Sequence, residues 1–596
     1  MDPSYRNKKI IDLSEEEVKT LAFLGPNVAP GVRVMVDKVR ANPARLAVVT
    51  CFTVDCLNRK YMDPATLQDA PGSPTSPTSP TSPTISEADT LFSQLSTSSS
   101  AFTVVAPNLI SAYEATFWYH GISGDPPKLM WRSDLETNPF PTPQPGDRFF
   151  KVPTKTAHGV FNTPLNDAWD TVAPEIIASM KTHGLKYSAL KAVRFSTLED
   201  GKEDETFGPV VVWIAVRPNT TNAGAVCDAT PDILGILADA KITDVVVEWY
   251  EGSVQKLGTL TFLFREGKDS EGRHSDRILA LTNKHVASVD TTTNYEFNEA
   301  DPQHVLVCGE RRFARAVTDI QDALNKGFRD AVKLTDELVG LESQAGGQNS
   351  MAARRKKSAL EAKNEDIVAL QALFTEVEAD WKDAERRKFG LVDWAPAISV
   401  RVDDRHYTRD IATFAVDGAK LTNFESNIVD LGNQYDASQL EDLFWPIAAV
   451  RNNRTIPGNL QLPIRRALPR RLVINPDTED KNGEPLYIVG KYGNTTKLTL
   501  GRYSGMDAYT CTDLGLESRE VVVYNYSKNS GDFSDHGDSG SLIFTGDGDG
   551  LAILHSGMPR GMHNHVTYGT PLWWVIKQIL VKYPSAEFYG ITYTLD

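Results

Sequence analysis

Cysteine is scarce in this sequence, with five residues in a chain of 596. The number is odd, and the spacing follows neither a disulfide framework nor a metal-ligand pattern. Isolated thiols such as Cys51 and Cys56 are more often small buried apolar side chains than ligands. We therefore expect no structural disulfides, which is typical of reducing compartments, and we predict neither a metal site nor a cofactor.

Long apolar runs are missing as well. No stretch reaches the roughly 18 apolar residues that indicate a membrane-spanning helix, and no apolar signal core follows the polar residues 1–9. These absences argue against a membrane-inserted or secreted protein. We expect a cytoplasmic or nuclear location and no membrane partner.

Positively charged residues are fewer than negatively charged ones. The chain has 62 lysines and arginines and 78 aspartates and glutamates, which gives a formal net charge of −16. Binding to nucleic-acid phosphates depends largely on cationic contacts, so we predict no nucleic-acid partner. The hydrophobic fraction of 41% and the charged fraction of 23% are ordinary for globular proteins. The length exceeds what one hydrophobic core supports and predicts several domains.

A low-complexity tract divides the N-terminal part of the chain. Residues 73–84 repeat the triplet Ser-Pro-Thr four times, and a polar run extends to residue 100. Proline at every third position prevents a regular helix, and serine and threonine bury little apolar surface. We predict a disordered linker at 73–100, preceded by an N-terminal segment at 1–72 that packs with the next domain.

Residues 101–243 have the pattern of an α/β domain. Residues 209–216 form a continuous apolar run, which is typical of a strand buried on both faces. Apolar residues at helical spacing follow at 230–240, after a Thr-Pro start, and residues 244–250 favour a further strand. Because no glycine-rich phosphate loop and no catalytic cluster occurs here, we assign this domain no chemistry.

From residue 244 to 596, short strands alternate with Gly, Asn and Asp turns, which is typical of an all-β barrel or sandwich. Residues 313–390 interrupt this pattern, because apolar residues recur every three or four positions on both sides of a Gly-Gly turn at 346–347. We predict an antiparallel helical hairpin inserted into the β domain. Its apolar stripes either cover each other or bind a second copy or a partner protein.

The sharpest motif is His536-Gly537-Asp538-Ser539-Gly540. A serine hydroxyl attacks a carbonyl efficiently only when a base removes its proton and the resulting oxyanion is stabilised. The glycines allow a tight turn in which the N–H groups of Gly537 and Ser539 converge on one point as an oxyanion hole. Glycine-rich turns are common in proteins, so the motif alone is weak evidence for a nucleophile. The two short strands that follow it strengthen the interpretation as a nucleophile turn.

His285 is the candidate general base, because it stands at a polar turn after the apolar run 278–281. The base needs a carboxylate that holds the imidazole in the correct tautomer. Asp410 immediately precedes the apolar run 411–416, where an unpaired buried carboxylate is costly. The nearby acidic alternatives, which have the pattern of turn residues, are Asp403, Asp404 and Asp417.

These three motifs occur in the order His, Asp, Ser, as Leu-Thr-Asn-Lys-His-Val at 281–286, Arg-Asp-Ile-Ala at 409–412 and Gly-Asp-Ser-Gly-Ser at 537–541. Together they resemble the chymotrypsin/trypsin-like serine protease clan, and the sequence looks nearest to predicted intracellular members from filamentous fungi. Residues 491–501 are similar to the strand–turn–strand before the nucleophile, and 568–576 to the last strand and closing helix.

The resemblance covers residues 245–312 and 390–596 and implies a trypsin-like fold of two six-stranded barrels, with a polypeptide substrate in the cleft between them. It implies a triad of His285, Asp410 and Ser539. The expected substrate-binding residues are Phe533 at the floor of the primary pocket, His536, and the wall and edge formed by His555, Ser556 and Gly557. Because position 533 is not acidic, we expect a small or apolar residue before the cleaved bond, with the peptide added as a strand along the edge.

Three features depart from the clan. The interval between His285 and Asp410 is unusually long, and the predicted hairpin fills most of it. The histidine turn lacks the Ala-Ala-His-Cys form. No free N-terminus adjoins the barrel, so either Asp538 finds a partner other than the N-terminus used by digestive members, or the site stays latent until the chain is cleaved near residue 250.

Two functions follow from these expectations. The first is an intracellular serine endopeptidase that acts through an acyl-enzyme intermediate. The alternative is a non-catalytic protease-fold scaffold that binds peptides or partner proteins, with the hairpin and the N-terminal segment as partner surfaces.

Overall fold

The structure is a computed structural model. It describes residues 5–21, 30–62, 102–104, 108–142, 152–199, 204–252, 255–256, 259–287, 290–300, 302–343, 350–421, 424–447, 451, 453–476, 478–479, 483–512, 515–527, 529–560 and 563–594. The chain divides into two compact units, one formed by Met1–Pro83 with Leu306–Phe389 and the other by Thr84–Val305 with Gly390–Asp596. The predicted linker, 73–100, lies entirely outside the described residues.

The first unit is helical. Its described helices are Glu15–Thr20, Pro30–Ala41, Cys51–Met62, Glu310–Glu342, Met351–Trp381 and Ala384–Arg387. The Ser14 hydroxyl accepts a hydrogen bond from the amide of Glu17, whose side chain accepts one from the Ser14 amide, so a capping box starts the first helix. The second predicted hairpin helix ends at Trp381, earlier than the sequence pattern suggests. There Asp383 caps a separate short helix instead.

The N-terminal segment packs against the long helices of this unit. Val36 and Phe52 share one hydrophobic cluster with Phe328, Ile367 and Phe374, and the Phe52 and Phe374 rings lie 4.2 Å apart. The apolar stripe of the long helices is therefore partly covered within the unit, and a role of the hairpin in oligomerisation stays a prediction. Packing of the N-terminal segment with the α/β domain stays a prediction as well.

The N-terminal part of the second unit is an α/β layer structure. Its described strands are β1 (Leu129–Arg132), β2 (Thr154–His158), β3 (Tyr187–Leu198), β4 (Thr206–Val216) and β5 (Val245–Glu251). They lie in the order β1-β5-β4-β3, with β2 also on β3, and the β4–β5 pair is parallel while the others are antiparallel. The described helices here are Ala112–Phe117, Pro164–Thr182 and Ala223–Asp239.

The apolar run at 209–216 is confirmed as a buried strand, because Val212, Trp213 and Ile214 in β4 are fully buried. The following helix begins at Ala223, several residues earlier than the pattern suggests, because the Asn222 side chain caps it. The proline that we placed at the helix start therefore lies inside the helix. The parallel strand β5 belongs to this sheet, so the α/β layer extends past the predicted boundary at 243.

The rest of the chain is rich in strands. Its described strands are β6 (Gln255–Lys256), β7 (Leu260–Lys268), β8 (His274–Thr282), β9 (Tyr295–Glu296), β10 (His304–Leu306), β11 (Lys388–Ala395), β12 (Ala412–Val416), β13 (Ile428–Asp430), β14 (Gln461–Pro463), β15 (Arg466–Ala467), β16 (Ile488–Gly493), β17 (Lys497–Tyr503), β18 (Ala508–Cys511), β19 (Glu517–Asn525), β20 (Leu542–Thr545), β21 (Asp549–Arg560) and β22 (His563–Pro571). The described helices of the second unit here are Lys284–Ala287, Ala437–Phe444, Arg470–Val473 and Leu572–Lys582.

A closed antiparallel barrel forms the C-terminal part of this region. Its strands pair in the ring β16-β17-β19-β22-β21-β20 and back to β16. Apolar side chains such as Val489, Val523 and Ile543 fill one cluster of its core. The structure thus confirms a mixed α/β protein with a β-barrel. Strand β18 pairs with both β19 and β3, so one continuous sheet runs from the α/β layer into the barrel.

A second, six-stranded antiparallel sheet has the order β10-β11-β12-β8-β7, with β9 also on β11. Within the described residues its pairing is an open ladder, so the second of the two predicted barrels stays a prediction. Among the described helices, none combines the length and the apolar character that crossing a membrane requires. All five cysteines are described, and no disulfide joins them.

Candidate active site

The candidate base and its carboxylate meet at the ends of two paired strands. Strand β8 ends at Thr282, opposite Ala412 in β12. His285 follows three residues later, in the short helix Lys284–Ala287. The Nδ1 atom of His285 lies 2.6 Å from Oδ2 of Asp410, and the backbone N–H of His285 donates to Oδ1 at 3.1 Å. The Asp410 side chain is 1% exposed and the His285 side chain 12%. The carboxylate therefore fixes both the ring and the backbone of the histidine.

The candidate nucleophile lies in a turn that requires glycine. Gly537 has a φ of 110° and Gly540 a φ of 86°, in the left-handed region. A Cβ on Gly540 would lie 1.8 Å from the carbonyl oxygen of Thr259, so no larger residue fits there. Within the described residues the amides of Gly537 and Ser539 donate no hydrogen bond. Two N–H groups that flank Asp538 thus remain available to an oxyanion.

Ser539 itself is fully buried, with 0% of its surface exposed. Its hydroxyl donates to the backbone carbonyl of His555 at 3.0 Å, which is its one hydrogen bond within the described residues. The histidine turn lies close by, because the Asn283 side-chain amide donates to the carbonyl of Leu554 at 2.9 Å. The structure therefore brings His285 and Asp410 into contact, and it directs the Ser539 hydroxyl to the barrel strand β21.

The partner of Asp538 is Lys491 rather than a free N-terminus. The Nζ atom of Lys491 lies 3.3 Å from Oδ2 of Asp538, and both side chains are 0% exposed. The backbone amides of Thr495 and Asp535 also donate to this carboxylate, at 2.8 and 3.0 Å. Burial opposes ionisation of Asp538, but the Lys491 ammonium and these donors outweigh it and hold the pKa of the carboxyl below its usual value.

The predicted peptide-binding edge is already covered. Strand β6 pairs antiparallel with β21, with Lys256 opposite Ser556 and Gln255 opposite Gly557. The chain then reaches Thr259, whose hydroxyl donates to the carbonyl of Gly537 at 2.7 Å. The edge that we expected to hold a peptide therefore holds the chain's own backbone.

The other predicted binding residues differ in their surroundings. Phe533 is fully buried in a core cluster of the barrel, and His536 is exposed. The His555 imidazole is buried between the Ser556 hydroxyl, 2.9 Å from Nδ1, and the Glu520 carboxylate, 2.8 Å from Nε2.

Sequence reasoning missed Glu520 and the role of Lys491. Both are charged residues within strands, Lys491 in β16 after the apolar start of that strand and Glu520 directly before the apolar run 521–524 of β19. Glu520 is 1% exposed and also accepts a hydrogen bond from the Ser518 hydroxyl at 2.5 Å. A charge at a buried strand position was the available signal, because such a group needs a partner.

Comparisons with known proteins give little further information. No protein-family model matches the chain, and no curated protein matches it. Among solved structures, a glutamic-acid-specific serine protease, described as using a novel histidine triad in substrate binding, is similar at 16% identity. The similarity covers 34% of this chain and 74% of that chain, with a TM-score of 0.20. A likeness this slight carries no argument about the present chain.

Proposed function

We propose that this chain is a serine endopeptidase with His285, Asp410 and Ser539 as its triad. The observation that carries the proposal is the contact between the His285 ring and the buried Asp410 carboxylate. The strand before His285 ends at Thr282, whose hydroxyl oxygen lies 2.9 Å from the position of a Cβ on Gly540, next to Ser539. A buried carboxylate that orients a partly exposed imidazole is the base half of the triad that acyl transfer by a serine requires.

The chemistry assigns one task to each group. The Ser539 hydroxyl turns from the His555 carbonyl toward Nε2 of His285, which takes its proton as the oxygen attacks a peptide carbonyl. Asp410 holds Nδ1–H and stabilises the imidazolium, and the amides of Gly537 and Ser539 bind the oxyanion. The imidazolium then protonates the leaving amine, and water releases the acyl-enzyme by the reverse sequence.

The proposal also covers the double barrel, the substrate pocket, the cleavage preference and the cellular setting. We assign the second unit a trypsin-like double barrel, formed by the closed barrel and the β7–β12 sheet, with the helical hairpin as an insertion. Phe533 lies under the primary pocket and His555, Ser556 and Gly557 form its wall, while His536 borders the cleft. We propose a small or apolar residue before the cleaved bond and an intracellular, fungal setting, which the few cysteines support.

A fluorophosphonate probe tests the assignment of the nucleophile. The probe forms a bond between its phosphorus and Oγ of an activated serine and loses fluoride, with the proton passing to the base. We expect covalent labelling of the full chain, at a single site that peptide mass spectrometry assigns to Ser539, and no labelling of Ser539→Ala.

The matched control is Ser541→Ala, which removes a second buried serine two residues away. The hydroxyl of Ser541 is also 0% exposed, but it makes no hydrogen bond within the described residues. We expect labelling of this variant at the wild-type level. Labelling that persists in Ser539→Ala contradicts the proposal, and so does an absence of labelling in every folded variant in which the edge of β21 is released.

One observation favours the second candidate function, a non-catalytic peptide-binding scaffold. The Ser539 hydroxyl is fully buried and bonded to a backbone carbonyl, which is a ground state that a purely structural serine also adopts. A scaffold predicts that no condition exposing the edge of β21 produces labelling. The experiments below therefore separate the two functions.

A further inference from the structure

We infer that strand β6 (Gln255–Lys256), together with Thr259, holds the proposed active site in a latent state by occupying the place of a peptide substrate. This inference rests on the proposed function and names the regulation of the same site. The observation behind it is the ladder between β6 and β21, in which the chain pairs with its own edge at Ser556 and Gly557.

The pairing has the character of a bound peptide. Peptides that bind at an exposed sheet edge are held by main-chain hydrogen bonds as one added strand. Strand β6 consists of two residues, Gln255 and Lys256, and pairs antiparallel with the barrel strand β21 near the end of β21 that leads into β22. Because this edge carries β6, an external peptide cannot pair with it until β6 leaves.

Thr259 contacts the loop that holds the candidate nucleophile Ser539. Three residues after Lys256, the Thr259 hydroxyl donates to the carbonyl of Gly537. The carbonyl oxygen of Thr259 occupies the space where a side chain of Gly540 would begin. Ser539 lies between these two glycines in the sequence, so Thr259 contacts the nucleophile turn on both sides of Ser539.

We attribute the burial of Ser539 to this arrangement. The hydroxyl is 0% exposed and its hydrogen bond goes to His555, which directly precedes the paired residue Ser556. Strand β6, the edge and the nucleophile therefore form one contiguous group. Release of β6 frees the edge and gives a carbonyl carbon access to Ser539.

A ladder as short as the one between β6 and β21 can open and close reversibly. Each main-chain hydrogen bond contributes little net free energy in water, so a two-residue strand is held weakly and a small perturbation releases it. This latency differs from one caused by a missing N-terminal ion pair, because the buried Lys491 already accompanies Asp538.

The test compares the second-order rate constants of fluorophosphonate labelling for three full-length proteins. The double variant Gln255→Pro/Lys256→Pro removes both backbone N–H groups, and proline is poorly tolerated in a paired strand. The matched control, Gln255→Ala/Lys256→Ala, removes the side chains and keeps the backbone donors. We expect at least tenfold faster labelling of the proline variant and a wild-type rate for the alanine variant. Tenfold corresponds to about 1.4 kcal/mol, within the net range for a single hydrogen bond.

Three other outcomes overturn the inference. Equal, measurable rates in all three proteins contradict the latency and leave the proposed function intact. Equal acceleration in the alanine variant contradicts a main-chain device. Labelling in none of the three contradicts the proposed function itself, and the inference falls with it.

Hydrogen exchange provides a readout that needs no catalysis. In the wild type, amides at the β6–β21 ladder are expected to show protection of about tenfold, matching the expected difference in labelling rate. The proline variant is expected to lose this protection while Val522 and Ile543 in the barrel keep theirs. Loss of protection at Val522 and Ile543 indicates unfolding, and the single variant Lys256→Pro then replaces the double one. Fast exchange at the ladder in the wild type contradicts the inference directly.

Discussion

Replacing Asp410 by asparagine is expected to lower the rate of Ser539 acylation by about four orders of magnitude, the loss that follows when the triad carboxylate of such an enzyme becomes an amide. The carboxylate accepts two hydrogen bonds from His285, one from Nδ1–H and one from the backbone N–H. An asparagine fits the same space, but its NH2 group cannot accept from Nδ1–H and favours the opposite tautomer. Nε2 then carries the proton and no longer acts as the base.

The measurement is the rate constant for fluorophosphonate labelling in the background with the two prolines at 255 and 256. The matched control is Asp404→Asn, an exposed carboxylate on the approach to the same strand. Labelling of this control within twofold of its parent, with an unchanged melting temperature, is expected. A loss of less than tenfold in Asp410→Asn, in a variant that keeps its fold, argues that His285 is not the base.

The parts of this site that the sequence predicts are those with a local signal. An apolar run that ends in a polar turn marks His285, an apolar run that follows a carboxylate marks Asp410, and two glycines mark the turn of Ser539. The positive φ angles of Gly537 and Gly540 confirm the turn. The contact between His285 and Asp410 then follows from the register of β8 and β12.

The missed parts depend on long-range packing. Gln255 and Lys256 have no apolar pattern, so nothing local indicates that they form a strand against residues 556–557. The amphipathic N-terminal segment shows an apolar face but not its partner, which is why its packing against the long helices was unexpected. Glu520 was missed because a charged strand residue normally faces solvent, although its place next to the apolar run 521–524 was a signal that it needs a buried partner.

The pair formed by Lys491 and Asp538 is the second feature whose removal has a large expected effect. Neither side chain is exposed. Burial lowers the pKa of Lys491 to about 8, against the attraction of Asp538. Taking both charges out of water is costly, so the intact pair adds little net stability, whereas removal of one partner leaves the other charge uncompensated.

We therefore expect Lys491→Met to lower the free energy of unfolding by about 3–5 kcal/mol, the usual cost of breaking a buried pair from one side. The variant Lys491→Met/Asp538→Asn is expected to recover most of this loss, because its amide oxygen still accepts from Thr495 and no charge remains buried. Urea unfolding of the three proteins measures both effects. A single variant within 1 kcal/mol of the wild type, or a double variant as unstable as the single one, shows that the two side chains are not energetically coupled.

The pH dependence gives a further readout of the same pair. An unfolded lysine keeps its proton up to about pH 10.5, whereas folded Lys491 releases its proton near pH 8. Between these values the folded state binds fewer protons than the unfolded state, so the contribution of Lys491 to stability rises with pH. Lys491→Met lacks this titration. The difference in unfolding free energy between wild type and variant is therefore expected to widen as pH increases from 8 toward 10.5, and a constant difference contradicts the burial of a charged lysine beside Asp538.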